Sequence, residues 1–266
     1  MRKLTYLVPI LLITLLFSSC KKSGNKGPNE EQPQEELVLL EKVYRNGQLH
    51  FDFAYDENHK IRQINHYKEN GDVKSSRLIQ LDDQGRIAKV IMDFGHYTST
   101  RTLTFEGDRK VLDETVNEFD DGSPSTYSKR AWKYPAANVI VDLLYASDLE
   151  TVNYTHTFSF LESGNIEKLV REVRTQPYQN GYEQFQYDEG LSYEYLIESN
   201  IPGYAEMPIS KNQVLNQKIF KPDGELSLEI FYHNTYNEAG YLEKYLEESV
   251  NGTEEYRLIY RTISLP

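Results

Sequence analysis

Cysteine occurs once in 266 residues, at Cys20. No disulfide can form within the chain, so the fold must rest on packing and hydrogen bonds. Basic residues are outnumbered: 29 Lys and Arg stand against 41 Asp and Glu, a formal charge of −12. A surface of that sign repels nucleic acid and anionic lipid, and neither is expected as a partner. No apolar run reaches the roughly 20 residues that a spanning helix needs. A His-Glu-x-x-His pair, a P-loop, a Gly-x-Gly-x-x-Gly turn and a Gly-x-Ser-x-Gly elbow are all missing, so the chain offers no motif for metal, nucleotide or serine-nucleophile chemistry. No catalytic residue, metal ligand or cofactor is assigned. Helix-period apolar stripes are absent beyond residue 37.

The apolar residues present early on are concentrated in residues 4–17, preceded by Arg2 and Lys3 and followed by Ser18, Ser19 and Cys20. A basic start, a short apolar stretch and small residues before a cut form a leader. The stretch "LFSSCKK" resembles a bacterial lipoprotein signal peptide, whose first residue after the cut is a lipid-bearing cysteine. That resemblance implies cleavage after residue 19 and palmitate or related acyl chains on Cys20. It places the protein in the envelope of a Gram-negative bacterium, with the membrane face left open. Two or more acyl chains hold firmly where one does not. An ordinary secretory leader with an incidental cysteine is the weaker alternative, because no other cysteine occurs. Residues 21–36, "KKSGNKGPNEEQPQEE", hold no aliphatic or aromatic side chain and cannot bury a core. Residues 20–37 are therefore read as lipidated cysteine and tether, and residues 38–266 as one domain.

Within that domain an apolar residue, five others and a second apolar residue recur. Copies are "YDENHKI" (55–61), "LDDQGRI" (81–87), "FEGDRKV" (105–111), "YPAANVI" (134–140), "FLESGNI" (160–166), "YDEGLSY" (187–193), "ISKNQVL" (209–215) and "YNEAGYL" (236–242). Their starts lie 22 to 29 residues apart. Asp or Asn opening a turn and Gly at its fourth place, with positive φ, describe a hairpin with a bulge. A second series falls between: Asn46-Gly47, Asn70-Gly71, Asp121-Gly122, Asn180-Gly181, Asp223-Gly224 and Asn251-Gly252, with looser loops at Gly95-His96, Ser147-Asp148 and Pro202-Gly203. Two alternating turn series predict an all-β, antiparallel up-and-down meander of about 16–18 strands. So long a sheet closes or coils strongly to hide its edges.

Charge falls on both faces of the strands. Lys168, Glu172 and Arg174 share one side, and Glu167 and Arg171 the other. A lipid-facing wall would be uncharged over about 25 Å, so the expectation is a soluble barrel held to the membrane only through Cys20. The turn segments "YDENHKI" and "LDDQGRI" resemble YD repeats of large secreted shell-forming proteins. The lipoprotein start, the length and the turn period together resemble a family of uncharacterised bacterial lipoproteins with a porin-like β-barrel domain. That resemblance implies a fold and no activity.

Chemistry-bearing residues are scattered. His50 and His66 can share a face on neighbouring strands. "NEFDDGS" lacks the ligand pattern of a calcium loop, since Phe119 takes a ligand place. Asp82-Asp83, Asp120-Asp121 and Glu247-Glu248 are adjacent carboxylates, the basis for an alternative envelope hydrolase of glycosidase type. Tyrosine is abundant, at 21 residues, and its flat ring with a polar tip suits sugar or peptide contact. The favoured function is non-enzymatic: a membrane-anchored binding or scaffold module for a glycan, peptide or protein.

Overall fold

The computed structural model describes residues 36–264. Cys20, the leader and most of the tether lie outside the described residues. The domain is a closed barrel of sixteen antiparallel strands in sequence order, shut by pairing of the first with the last. The strands are β1 (Glu36–Arg45), β2 (Gln48–Tyr55), β3 (Ile61–Tyr67), β4 (Val73–Leu81), β5 (Ile87–Asp93), β6 (Tyr97–Glu106), β7 (Arg109–Phe119) and β8 (Thr126–Ala136). The wall continues with β9 (Val139–Tyr145), β10 (Val152–Phe160), β11 (Ile166–Val173), β12 (Gly181–Leu191), β13 (Asn212–Phe220), β14 (Leu226–Tyr236), β15 (Leu242–Ser249) and β16 (Gly252–Ser264). Glu36 and Leu37, counted with the tether from composition, pair with Ser264 and Ile263. The end bearing residues 36 and 264 is called proximal below, and the other end distal.

One hairpin type builds much of the wall. In the turns at 56–60, 68–72, 82–86, 161–165, 221–225 and 237–241, the first N–H donates to the fifth carbonyl and the fourth N–H donates back to the first carbonyl. Asp56, Asp82 and Asn237 also accept from the third and fifth N–H through a side-chain oxygen. The fourth residues His59, Gly71, Gly85, Gly164, Gly224 and Gly240 all have positive φ, from 59° to 88°. Each pairing slips by one residue beside its turn, the bulge that this geometry requires. The turn thus serves both series.

Copies with neither Gly nor His59 at the fourth place depart from it. Arg109 and Gln213 lie in strands and Leu191 ends one; the turn near Arg109 bends instead at Gly107, with φ 58°. Asn46-Gly47 is a two-residue turn with both φ positive. Asn180-Gly181 is not a tight turn: a short 3-10 helix at Pro177–Gln179 precedes it, and Gly181 is already in β12. Pro202-Gly203 joins no strands directly.

The largest departure from the sequence expectation is residues 192–211, between and overlapping the copies at 187–193 and 209–215, which were read as hairpin turns with a looser loop at Pro202-Gly203 between them. Instead β12 runs into a helix, α1 (Tyr193–Asn200), and an irregular segment. Ser192 caps the helix by accepting from the Tyr195 N–H, and Glu194 lies in its first turn, a favourable sign at a helix N-terminus. Pro202 follows its end. Eight residues are too few to hold a helix alone, and the stabilising burial comes from Ile197 and Ile201, 3% and 0% exposed, packed against the barrel wall.

Candidate functional site

Cross-strand register assigns each wall residue to lumen or exterior. The proximal half of the lumen is apolar. Val43, Phe53, Ile64, Ile79, Val90, Leu103, Tyr245 and Leu258 converge on Ile197 and Ile201. A second cluster, Phe158, Ile166 and Leu169, packs with Phe160 and Phe185 on the other side. The insertion 192–211 lies across this end and is stitched to turns and strands around it. Asn200 Nδ2 donates to the His59 carbonyl, its Oδ1 accepts from the Ile61 N–H, and its own carbonyl accepts from Lys60 Nζ. Farther along, the Ile87 N–H donates to the Pro202 carbonyl. Lys110 Nζ donates to the Ala205 carbonyl at 2.5 Å, Arg130 Nη1 to the Glu206 carbonyl at 2.8 Å, and the Ile166 N–H to Ser210 Oγ at 3.0 Å. Glu198 rigidifies the segment by accepting from the Gly203 and Ala205 N–H groups.

Beyond this plug the lumen carries a belt of paired charges. Arg101 Nε meets Asp113 at 2.5 Å, Arg130 Nε lies 3.3 Å from Asp142, and His156 Nδ1 lies 3.0 Å from the other Asp142 oxygen. Arg171 binds Glu183, which also accepts from Gln217, itself contacted by the Tyr232 hydroxyl. Arg45 holds Glu254 through two bonds. Arg77 and Glu194 are among the charged groups that stand outside this pairing. Arg77 makes no ion pair, and its buried Nε has no hydrogen-bond partner. Glu194 is enclosed by the barrel, which raises its pKa by desolvation, yet its surface remains open to water.

The carboxylate pairs singled out in the sequence do not form sites. Asp82 caps its own turn and pairs with Arg86. Asp121 accepts from Ser123 in a distal turn. Glu247 and Glu248 point to opposite faces, Glu248 outward beside His233. The lumen instead brings Glu247 opposite Glu254 on β16. Burial and Glu254 raise the Glu247 pKa, and Arg45 lowers that of Glu254. This pairing depends on register and was not readable as a motif. His50 and His66 do meet, ring centres 4.7 Å apart, at a distal cleft with Lys74 and Arg45. Many tyrosines line the lumen rather than the outer surface: Tyr55, Tyr232, Tyr236, Tyr256 and Tyr260 pack against the apolar cluster. Among the described residues no cluster of His, Cys, Asp and Glu could hold a metal ion.

The exterior is charged along its length. Lys218 pairs with Glu229 at 3.4 Å and Lys244 with Glu255 at 2.5 Å, while Lys168 and Lys129 lie over Tyr182 and Tyr145.

No protein family matches the chain, and no curated protein resembles it. Solved structures do. A porin-like protein from Bacteroides uniformis ATCC 8492 is 10% identical, with 86% of this chain and 97% of that one aligned and a TM-score of 0.51. A porin-like protein from Bacteroides vulgatus ATCC 8482 is 9% identical, with 83% and 97% aligned and a TM-score of 0.55. This chain shares their fold. At such identity the likeness extends to architecture and not to residues.

Proposed function

We propose that this porin-like barrel is a lipoprotein of the cell envelope, anchored through acyl chains on Cys20, and that it binds or scaffolds a glycan, peptide or protein rather than conducting solutes. The observation that carries this reading is the insertion 192–211, bonded from wall to wall across the proximal end. A conducting pore needs a continuous aqueous path, and the apolar packing around Ile197 and Ile201 opposes one. The charged outer wall supports a barrel standing in water, since Lys or Arg at a bilayer midplane costs about 2–4 kcal/mol each. Metabolic labelling with palmitate tests the anchor: label should enter the protein and vanish in Cys20→Ala. Planar-bilayer recording tests the barrel, which should give no conductance steps. Steady single-channel currents would overturn the binding reading.

A second reading, a glycosidase-like hydrolase, draws on Glu247 and Glu254. Directly opposed side chains on paired strands have Cβ atoms about 4.5–5.5 Å apart, and their pKa values are displaced in opposite directions. Cleavage of nitrophenyl glycosides, abolished by both Glu247→Gln and Glu254→Gln, would establish it.

A further inference from the structure

A cavity of about 280 Å³ lies between the plug and the wall at the proximal end. Its lining includes the rings of Phe105, Trp132, Tyr134, Phe160 and Tyr195, with Lys110 among them. That volume is at the small end of ligand sites, room for one ring and its substituents. Lys110 Nζ sits 4.2 Å from the Trp132 ring centre and spends one donor on the Ala205 carbonyl. It has no carboxylate within ion-pair distance among the described residues. Its charged neighbours are otherwise engaged. Arg101 pairs with Asp113 and Arg130 with Asp142. Both Glu198 oxygens are taken by N–H groups of the plug. Asp108 stands at the rim, exposed.

An ammonium group in apolar surroundings is costly unless paired. The protein shows that cost: burial lowers the Lys110 pKa to about 8. A cation–π contact and one carbonyl offset it only in part. We infer that this cavity binds a ring-bearing carboxylate, its anionic group on Lys110 Nζ and its ring among Phe105, Tyr134, Phe160 and Tyr195. The inference rests on the binding-module reading and narrows it to one ligand class. Two sources share that chemistry, an acidic sugar residue of a glycan and an aryl acid.

Trp132 is the single tryptophan of the chain, so its fluorescence reports on this cavity alone. The mature protein is titrated with glucuronate and phenylacetate, and with the neutral counterparts glucose and phenylacetamide. A saturable change is expected for at least one acid, with affinity at least about tenfold weaker for its neutral counterpart. Glucuronate response would assign a sugar acid, phenylacetate response an aryl acid. Lys110→Gln keeps a donor for the Ala205 carbonyl while removing the charge, and should abolish the preference for the acid. Because the ligand favours protonated Lys110, affinity should hold below pH 8 and fall above it. No saturable change with either acid, equal response to neutral compounds, or an unaltered preference in Lys110→Gln would each overturn the inference. None of these would bear on palmitate labelling or conductance, which test the broader reading separately.

Discussion

Arg101 and Asp113, on adjacent strands and each almost wholly buried, form an ion pair inside the barrel wall, Nε to carboxylate 2.5 Å. Burial is the largest influence on Asp113 and raises its pKa despite the facing guanidinium, so desolvation outweighs attraction there. Removing one partner leaves an unpaired buried charge. Asp113→Ala should cost about 3–5 kcal/mol in chemical denaturation, while the double change Arg101→Met with Asp113→Leu should cost much less. Equal losses in the single and double variants would show that the cost does not come from leaving the Arg101 charge unpaired.

The recurring hairpin makes a graded prediction. Gly85, Gly164 and Gly240 hold φ of 76°, 86° and 82°, where a β-branched side chain is strained. Valine at each should destabilise by about 1–2 kcal/mol. His59 holds the same place at φ 59°, and His59→Gly should be stabilising. Arg109→Val, in a strand instead of a turn, should be nearly neutral. Denaturation midpoints of the five variants measure the order.

The plug depends on a close approach at Gly203. Its φ is 98°, and a Cβ there would lie 2.9 Å from Phe105 Cζ and 3.0 Å from Leu103 Cδ2. Gly203→Ala should cost about 1–3 kcal/mol and speed amide exchange at Ala205 more than in β10. Uniform exchange across both would mean the plug does not open separately from the barrel.

His66 supplies a pH dependence with a definite sign. Burial, then His50, Lys74 and Arg77, push its pKa down to about 4. The unfolded chain, titrating near 6.5, takes up the proton first. Stability from this group is therefore complete above pH 6.5 and is lost as pH falls toward 4. His66→Gln should flatten the melting-temperature profile in that window and leave it unchanged at pH 8.

Much of the wall was legible in the chain itself. Asp56, Asp82 and Asn237 bond to their own turns, and glycine at the fourth place permits positive φ; both effects act within five residues, so the hairpins and the meander follow from local chemistry. Tertiary structure decided the rest, because it depends on partners far apart in sequence. Closure rests on Glu36–Arg45 pairing with Gly252–Ser264, and no short stretch encodes that contact. The strand register chose which charges face the lumen, joining Arg101 to Asp113 and setting Glu247 opposite Glu254. Residues 193–200 are too short a run to announce a helix, and the helix is held because Ile197 and Ile201 pack among core residues from many strands of the closed barrel.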